Sequence, residues 1–138
     1  MNGKSLNLVR FLIGVVLLIN LQCALVFLWQ PEHYMGGFGL SGEIGQGILR
    51  ALGLLFLMWN VPYAFALWHP LKNFTSLVEA VIMQGIGFIG ETVILMIGNY
   101  QDSLIDSSVK RFMLFDGSGL VLLVVALLVV QDQKRRAG

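Results

Sequence analysis

Charged side chains interrupt three stretches of the chain that are otherwise apolar: Arg50, Glu91 and Asp116. If these stretches cross a membrane, each charge costs at least about 2.5–3.5 kcal/mol on insertion scales, so it usually has a partner or a function. We predict that the three residues form one network, either an ion-pair network that stabilises the fold or a polar pocket that binds a ligand head group or relays protons. A second pair, Arg10 with Glu79, is predicted nearer the opposite membrane face.

Further polar residues are predicted to border the network of Arg50, Glu91 and Asp116. Gln84 is seven positions before Glu91, so the two side chains lie on nearly the same side of one helix. Asn60 either satisfies carbonyl groups freed by a kink or lines the pocket. His33 and Tyr34 belong to a glycine-rich segment that we expect to fold back over the pocket.

The composition is typical of a membrane protein rather than a soluble globule. Hydrophobic residues make up 57% of the chain and charged residues 12%, against about 45–50% and about 25% in soluble domains. The 138 residues suffice for one domain. The basic residues form no patch with interleaved aromatics, which argues against a nucleic-acid partner. Two histidines and one cysteine, without the spacing of zinc ligands, predict no metal site.

The fold class predicted from these patterns is all-α, an integral membrane four-helix bundle with up-down-up-down topology. Residues 1–138 form its single domain, with spans at about 6–29, 45–69, 74–98 and 112–130. Each span reaches the roughly 20 residues that cross a bilayer. A kink is expected near Asn60, because Pro62 cannot donate a backbone hydrogen bond. Segments 31–45 and 99–111 are predicted to be exposed loops.

The distribution of basic residues predicts the orientation. With both termini in the cytoplasm, six basic residues face inward, two face outward and Arg50 is embedded near the outer face. The positive-inside rule favours this orientation. The first apolar run exceeds the roughly 7–15 residues of a signal-peptide core, so we interpret it as a retained span. The absence of a targeting segment then favours the bacterial inner membrane.

Short motifs resemble a known family. They are Pro31-Glu32 with Tyr34, the sequence GFGL at 37–40, RALG at 50–53 and FLMWN at 56–60. This pattern is similar to the DoxX-like superfamily of small four-helix membrane proteins, especially an uncharacterised bacterial branch. The resemblance implies a four-span topology. It also implies a link to quinone-dependent oxidoreductases, in which some members are subunits, or to related folds that bind sterol-like ligands in a central cavity.

Three functions are compatible with the sequence. The leading one is binding of a lipid-like or quinone-like ligand, or service as an accessory subunit of a membrane redox complex. The first alternative is an enzyme for a lipid-soluble substrate, with Glu91 or Asp116 as acid/base and Arg50 as charge stabiliser. The second is an oligomeric transporter or channel. Expected partners are membrane lipid and either further copies of the chain or a larger membrane complex.

Overall fold

The computed structural model describes residues 3–137. The regular secondary structure of this part of the chain is helical. In this described part, four helical spans are long and apolar enough to cross a membrane. The spans are formed by α1 (Gly3–Trp29), α3 (Gly42–Trp59) continued by α4 (Val61–Trp68), α5 (Phe74–Ile97) and α6 (Ser103–Ala137). A short helix α2 (Glu32–Met35) and a 3₁₀ turn (Gly36–Phe38) connect the first two spans.

Contacts at the two ends of the bundle confirm the up-down-up-down arrangement. At the end that carries the start of α1 and the end of α6, Arg10 Nη2 donates to the Trp68 carbonyl at 2.7 Å. At the same end, Lys134 Nζ lies 4.4 Å from the centre of the Phe74 ring. We call this the terminal end. At the opposite end, the loop end, the Phe27 ring packs against Phe38 in the connecting segment, with 5.7 Å between ring centroids.

The apolar core lies in the half of the bundle next to the terminal end. Its fully or almost fully buried members come from α1, α4, α5 and α6: Val9, Ile13, Val16, Leu17, Tyr63, Ala66, Leu77, Ala80, Leu123, Ala126 and Val130. Side chains of these sizes fill the space between the helices. The loop half is packed differently, because its second-span helix is α3 rather than α4.

The second span breaks at Asn60, at the position predicted for the kink. Asn60 separates α3 from α4, and its Nδ2 donates to the Phe56 carbonyl at 2.7 Å. Pro62 lies in the first turn of α4, where the missing N–H would otherwise reach back to Met58. Beyond the break, α4 packs against α5 and α1, whereas α3 packs on α1 and makes no comparable contact with α5 or α6 in the described residues. The break therefore separates α3 from α5 in the loop half.

The glycine-rich segment between the first two spans folds back onto the bundle, as predicted. The 3₁₀ turn packs on α6, and the Phe38 ring lies 5.8 Å from the Phe112 ring. A Cβ atom at Gly37 would lie 2.6 Å from Ser108 Oγ and 3.0 Å from Ser108 Cβ, so a side chain at this position would have to displace Ser108. The segment therefore covers the loop end of the bundle.

The predicted exposed loop at 99–111 is largely wrong, because α6 already begins at Ser103. Asp102 caps the helix: its Oδ1 accepts a hydrogen bond from the Leu104 N–H at 2.7 Å. Within the first turns, Lys110 Nζ donates to Asp106 Oδ2 at 2.7 Å, an i,i+4 ion pair. The helix thus extends beyond the predicted span start at 112, and the other three predicted spans lie within three residues of the observed ones.

Removing the cap should destabilise the first turn of α6. We expect Asp102→Ala to cost about 0.5–2 kcal/mol, the range for loss of an N-cap side chain. Asp102→Asn should retain most of that stability, because its amide oxygen accepts the same hydrogen bond. Amide hydrogen exchange at Leu104 and its neighbours measures the effect. Equal protection in the alanine and asparagine variants would contradict the capping role.

Candidate functional site

A cavity of about 310 Å³ lies in the loop half of the bundle. Its size falls at the lower end of the roughly 300–1,000 Å³ of ligand pockets. Polar and charged side chains contribute to the lining: Asn20, Gln22, Tyr34, Asn60, Gln84, Glu91, Arg111 and Asp116. Apolar and aromatic side chains and the only cysteine line the rest, among them Cys23, Phe56, Trp59, Phe112 and Phe115.

The cavity follows from the break in the second span. Phe56 and Trp59 line it from α3, and Met83 and Gly87 line it from α5, the two helices that Asn60 allows to separate. Gly87 also lets the partner helix α6 approach, because a Cβ atom there would collide with the Asp116 carboxylate. The gap between α3 and α5 and the carboxylate of Asp116 therefore lie at the same depth in the bundle.

A buried chain of hydrogen bonds fixes one side of the cavity. The hydroxyl of the fully buried Tyr63 donates to Gln84 Oε1 at 2.7 Å. Gln84 Nε2 in turn donates to Asp116 Oδ1 at 2.8 Å. Both polar atoms of the Gln84 amide are therefore used, and the orientation of the amide is set by its two neighbours.

Two oxygens beside this chain have no hydrogen-bond partner. Asn60 is 3% exposed, and its Oδ1 is unpaired. Because the Phe56 carbonyl can only accept, the amide nitrogen of Asn60 must point toward that carbonyl and the oxygen away from it. Glu91 Oε2 is likewise buried and without a partner. A buried polar atom left unpaired costs about 1–3 kcal/mol. Asn60 and Glu91 both line the cavity, so a donor placed in the cavity would find both oxygens free, whereas the unpaired Ser108 Oγ belongs to a residue outside the lining.

Arg111, rather than Arg50, is the cation of the cavity. The Arg111 guanidinium lies 5.2 Å from the centre of the Tyr34 ring and 5.5 Å from that of Phe112. The predicted ion network centred on Arg50 is wrong, because Arg50 is exposed and does not line the cavity. On α3, Arg50 points about 100° around the helix from the fully buried Leu49, whereas the cavity-lining Phe56 points within about 20° of Leu49.

The remaining predicted site residues are divided between the cavity and the surface. Tyr34 lines the cavity, whereas His33 is exposed on α2. The predicted pair of Arg10 with Glu79 is not formed in the described part of the chain, where the Arg10 guanidinium binds the Trp68 carbonyl instead. Glu79 is exposed because it points about 160° around α5 from the fully buried Leu77.

Sequence reasoning missed Arg111, Asn20 and Gln22 as lining residues. The predicted loop at 99–111 contains Arg111, although Asp102, followed by the i,i+4 pair Asp106 and Lys110, is a pattern that starts a helix before it. Asn20 and Gln22 gave only the weak signal of polar residues in an apolar span. Within residues 3–137, no three His, Cys, Asp or Glu side chains converge as metal ligands would.

Fold and cavity together define a class: a helical bundle with four spans of membrane-crossing length and, between them, a mainly apolar cavity that contains a few polar and charged groups. This is the architecture of a multi-pass membrane protein. Comparisons with protein-family models, with curated proteins and with solved structures gave no match. The resemblance to DoxX-like proteins therefore stays a prediction that depends on the motifs alone.

Proposed function

We propose that the protein binds a lipid-soluble molecule with a polar head in the cavity of the loop half, a ligand of lipid-like or quinone-like character. The observation that carries the proposal is the pair of unpartnered oxygens, Asn60 Oδ1 and Glu91 Oε2, beside a cavity of ligand size. The arrangement suits a ligand that inserts its head between the helices and leaves an apolar tail toward the lipid.

The gap between α3 and α5 supports access from the lipid phase. Both helices carry exposed apolar side chains on the outer surface of the bundle, including Leu55 and Met58 on α3 and Ile94 on α5. A tail lying between these helices would contact the same hydrocarbon that surrounds the bundle. A role as accessory subunit of a membrane redox complex is compatible with this site when the quinone-like head is in its reduced, quinol form, because the quinol hydroxyls can donate to these two oxygens.

The proposed location is the bacterial inner membrane, with both termini in the cytoplasm. The terminal end of the bundle carries most basic side chains: Lys4, Arg10, Lys72, Lys134, Arg135 and Arg136. The loop end carries Lys110 and Arg111. The positive-inside rule favours this orientation.

Native mass spectrometry of the protein, extracted gently from the membrane in which it is produced, tests the binding proposal. We expect a bound small molecule that is retained by Glu79→Gln and lost from Glu91→Gln. The two variants make the same chemical change outside and inside the cavity, because Glu79 is exposed and Glu91 lines the cavity. Equal retention by both variants would contradict the proposed site.

The only cysteine supplies an independent readout of the same proposal. Cys23 lines the cavity, so a bound molecule should slow its alkylation by a small apolar thiol reagent. The rate measured by mass spectrometry should rise after delipidation. If the alkylation rate of Cys23 in the wild-type chain does not change when the ligand is removed, that result would count against occupancy of the cavity.

A further inference from the structure

We propose that the head of the ligand is a cationic hydrogen-bond donor, so that the protein recognises a lipophilic amine. This inference rests on the proposed function and names the chemical class of the molecule that the cavity takes. It follows from three properties of the lining: which hydrogen-bonding atoms are free, how the charges are distributed, and which rings surround them.

Among the residues that line the cavity, the buried side-chain atoms without a hydrogen-bond partner are two oxygens, Asn60 Oδ1 and Glu91 Oε2. Asn60 offers only its oxygen, because its Nδ2 is already held by the Phe56 carbonyl. The carboxylate oxygen Oε2 of Glu91 is also free. The amide of Gln84, by contrast, has both of its polar atoms engaged, with Tyr63 and with Asp116. A ligand that completes these atoms must donate hydrogen bonds, which an ammonium or a hydroxyl does and a carbonyl does not.

The charges of the lining favour the ammonium over the hydroxyl. Two carboxylates, Glu91 and Asp116, line the cavity together with one guanidinium, Arg111. In the described residues the salt bridges join Lys110 to Asp106 and Arg136 to Asp132, so none neutralises the two carboxylates. With both carboxyl groups ionised, the lining carries two negative charges and one positive charge, which one monovalent cation would balance. A charged donor on a carboxylate also forms a stronger hydrogen bond than a neutral one.

The aromatic residues of the lining can accept a cation on their faces. Tyr34 and Phe112 already do so for the Arg111 guanidinium, at 5.2 and 5.5 Å from their centroids. Phe56, Trp59 and Phe115 line the same cavity. Attraction between a cation and an aromatic face is worth about 0.5–1 kcal/mol at exposed sites and about 2 kcal/mol or more when desolvated. An amine with a compact apolar body would therefore be held at its head by oxygens and around its stem by rings.

Three probes with the same body test this inference: 4-phenylbutylamine, 4-phenylbutanol and 4-phenylbutanoate. The full-length chain is placed in nanodiscs of phosphatidylcholine, whose zero net charge does not concentrate the amine. Trp29 and Trp68, which are exposed, are changed to Phe, so that Trp59 in the cavity is the single tryptophan and reports binding by fluorescence. Cys23 alkylation supplies a second readout of occupancy.

We expect the amine to bind at least about tenfold more tightly than the alcohol, and the acid more weakly than both, since charge-assisted hydrogen bonds are about twice as strong as neutral ones. Glu91→Gln should reduce the preference for the amine to about twofold or less while the alcohol retains its affinity. Glu91→Asp, which keeps the charge, should preserve the preference, and Glu79→Gln is the matched control outside the cavity. Circular dichroism of each variant verifies that it is folded.

Equal affinities for the amine and the alcohol, or a preference that survives in Glu91→Gln, would overturn the cationic head and leave the binding function standing. If none of the probes alters Trp59 fluorescence or Cys23 alkylation in the single-tryptophan chain with an unchanged cavity, both the inference and the proposed function fail. Tightest binding of the acid would assign the site to anions through Arg111 and reject the inference.

Discussion

A Gly53→Leu variant is expected to lose the native packing of α1 against α3. Gly53 is buried, and a Cβ atom there would lie 2.9 Å from the Ala24 carbonyl oxygen, 2.9 Å from Phe27 Cβ and 3.0 Å from Leu28 Cγ. The carbonyl is backbone and cannot rotate away. Small residues permit such close helix approach in membranes. Because overpacking costs about 1–3 kcal/mol for small insertions, a whole leucine side chain should cost more than about 3 kcal/mol.

The matched control is Gly47→Leu on the same helix. Gly47 is exposed, and nothing would lie within 4 Å of a Cβ atom placed on it. Helical content followed by circular dichroism during titration with sodium dodecyl sulfate measures both variants. The midpoint should fall strongly for Gly53→Leu and little for Gly47→Leu. Equal midpoints would show that α1 and α3 do not pack as described.

Gln84→Leu is expected to have the second largest effect on stability. Gln84 is 2% exposed and joins the Tyr63 hydroxyl to the Asp116 carboxylate. Leucine would leave both groups without this partner inside the bundle. At about 1–3 kcal/mol for each unsatisfied buried group, the expected loss in free energy of unfolding is about 2–6 kcal/mol.

A double-mutant cycle separates the hydrogen bond from simple packing. Adding Tyr63→Phe to Gln84→Leu removes one of the orphaned groups, so the double variant should be more stable than the sum of the two single losses indicates. The same detergent titration gives all three free energies. Strict additivity would mean that Tyr63 and Gln84 do not depend on each other, contrary to their 2.7 Å contact.

The depth of the polar residues could be read from the sequence, but their rotation about the helix axes could not. Span lengths place Glu91 and Asp116 at one level, and the structure has both in one cavity. Arg50 lies on the same helix as Phe56 but on a different face. In a soluble helix an apolar stripe reveals the inward face. Here lipid-facing and core-facing residues are both apolar, so Leu54, exposed, and Leu49, buried, look alike in the sequence.

The fold was more predictable than the site, because it depends on the lengths of the apolar runs and on the residues that interrupt them. Four apolar runs of bilayer length and the Pro62 break predicted the bundle and its kink. The start of α6 was not predicted, because polar residues such as Asp106 and Lys110 look like a loop in a membrane chain. Their i,i+4 pairing supports a helix that projects beyond the apolar stretch, and that projection brings Arg111 over the cavity.

The break at Asn60 gives the two halves of the bundle different mechanical properties. The terminal half is held by a continuous apolar core, whereas in the loop half α3 packs mainly on α1. Bending at a proline site meets little resistance, since the hydrogen bond that would oppose it is missing. The α3 wall of the cavity is attached to the bundle mainly through α1, whereas Leu77 and Leu123 belong to the core that joins α1, α4, α5 and α6. The two ends of the same helices thus differ in how many neighbours hold them.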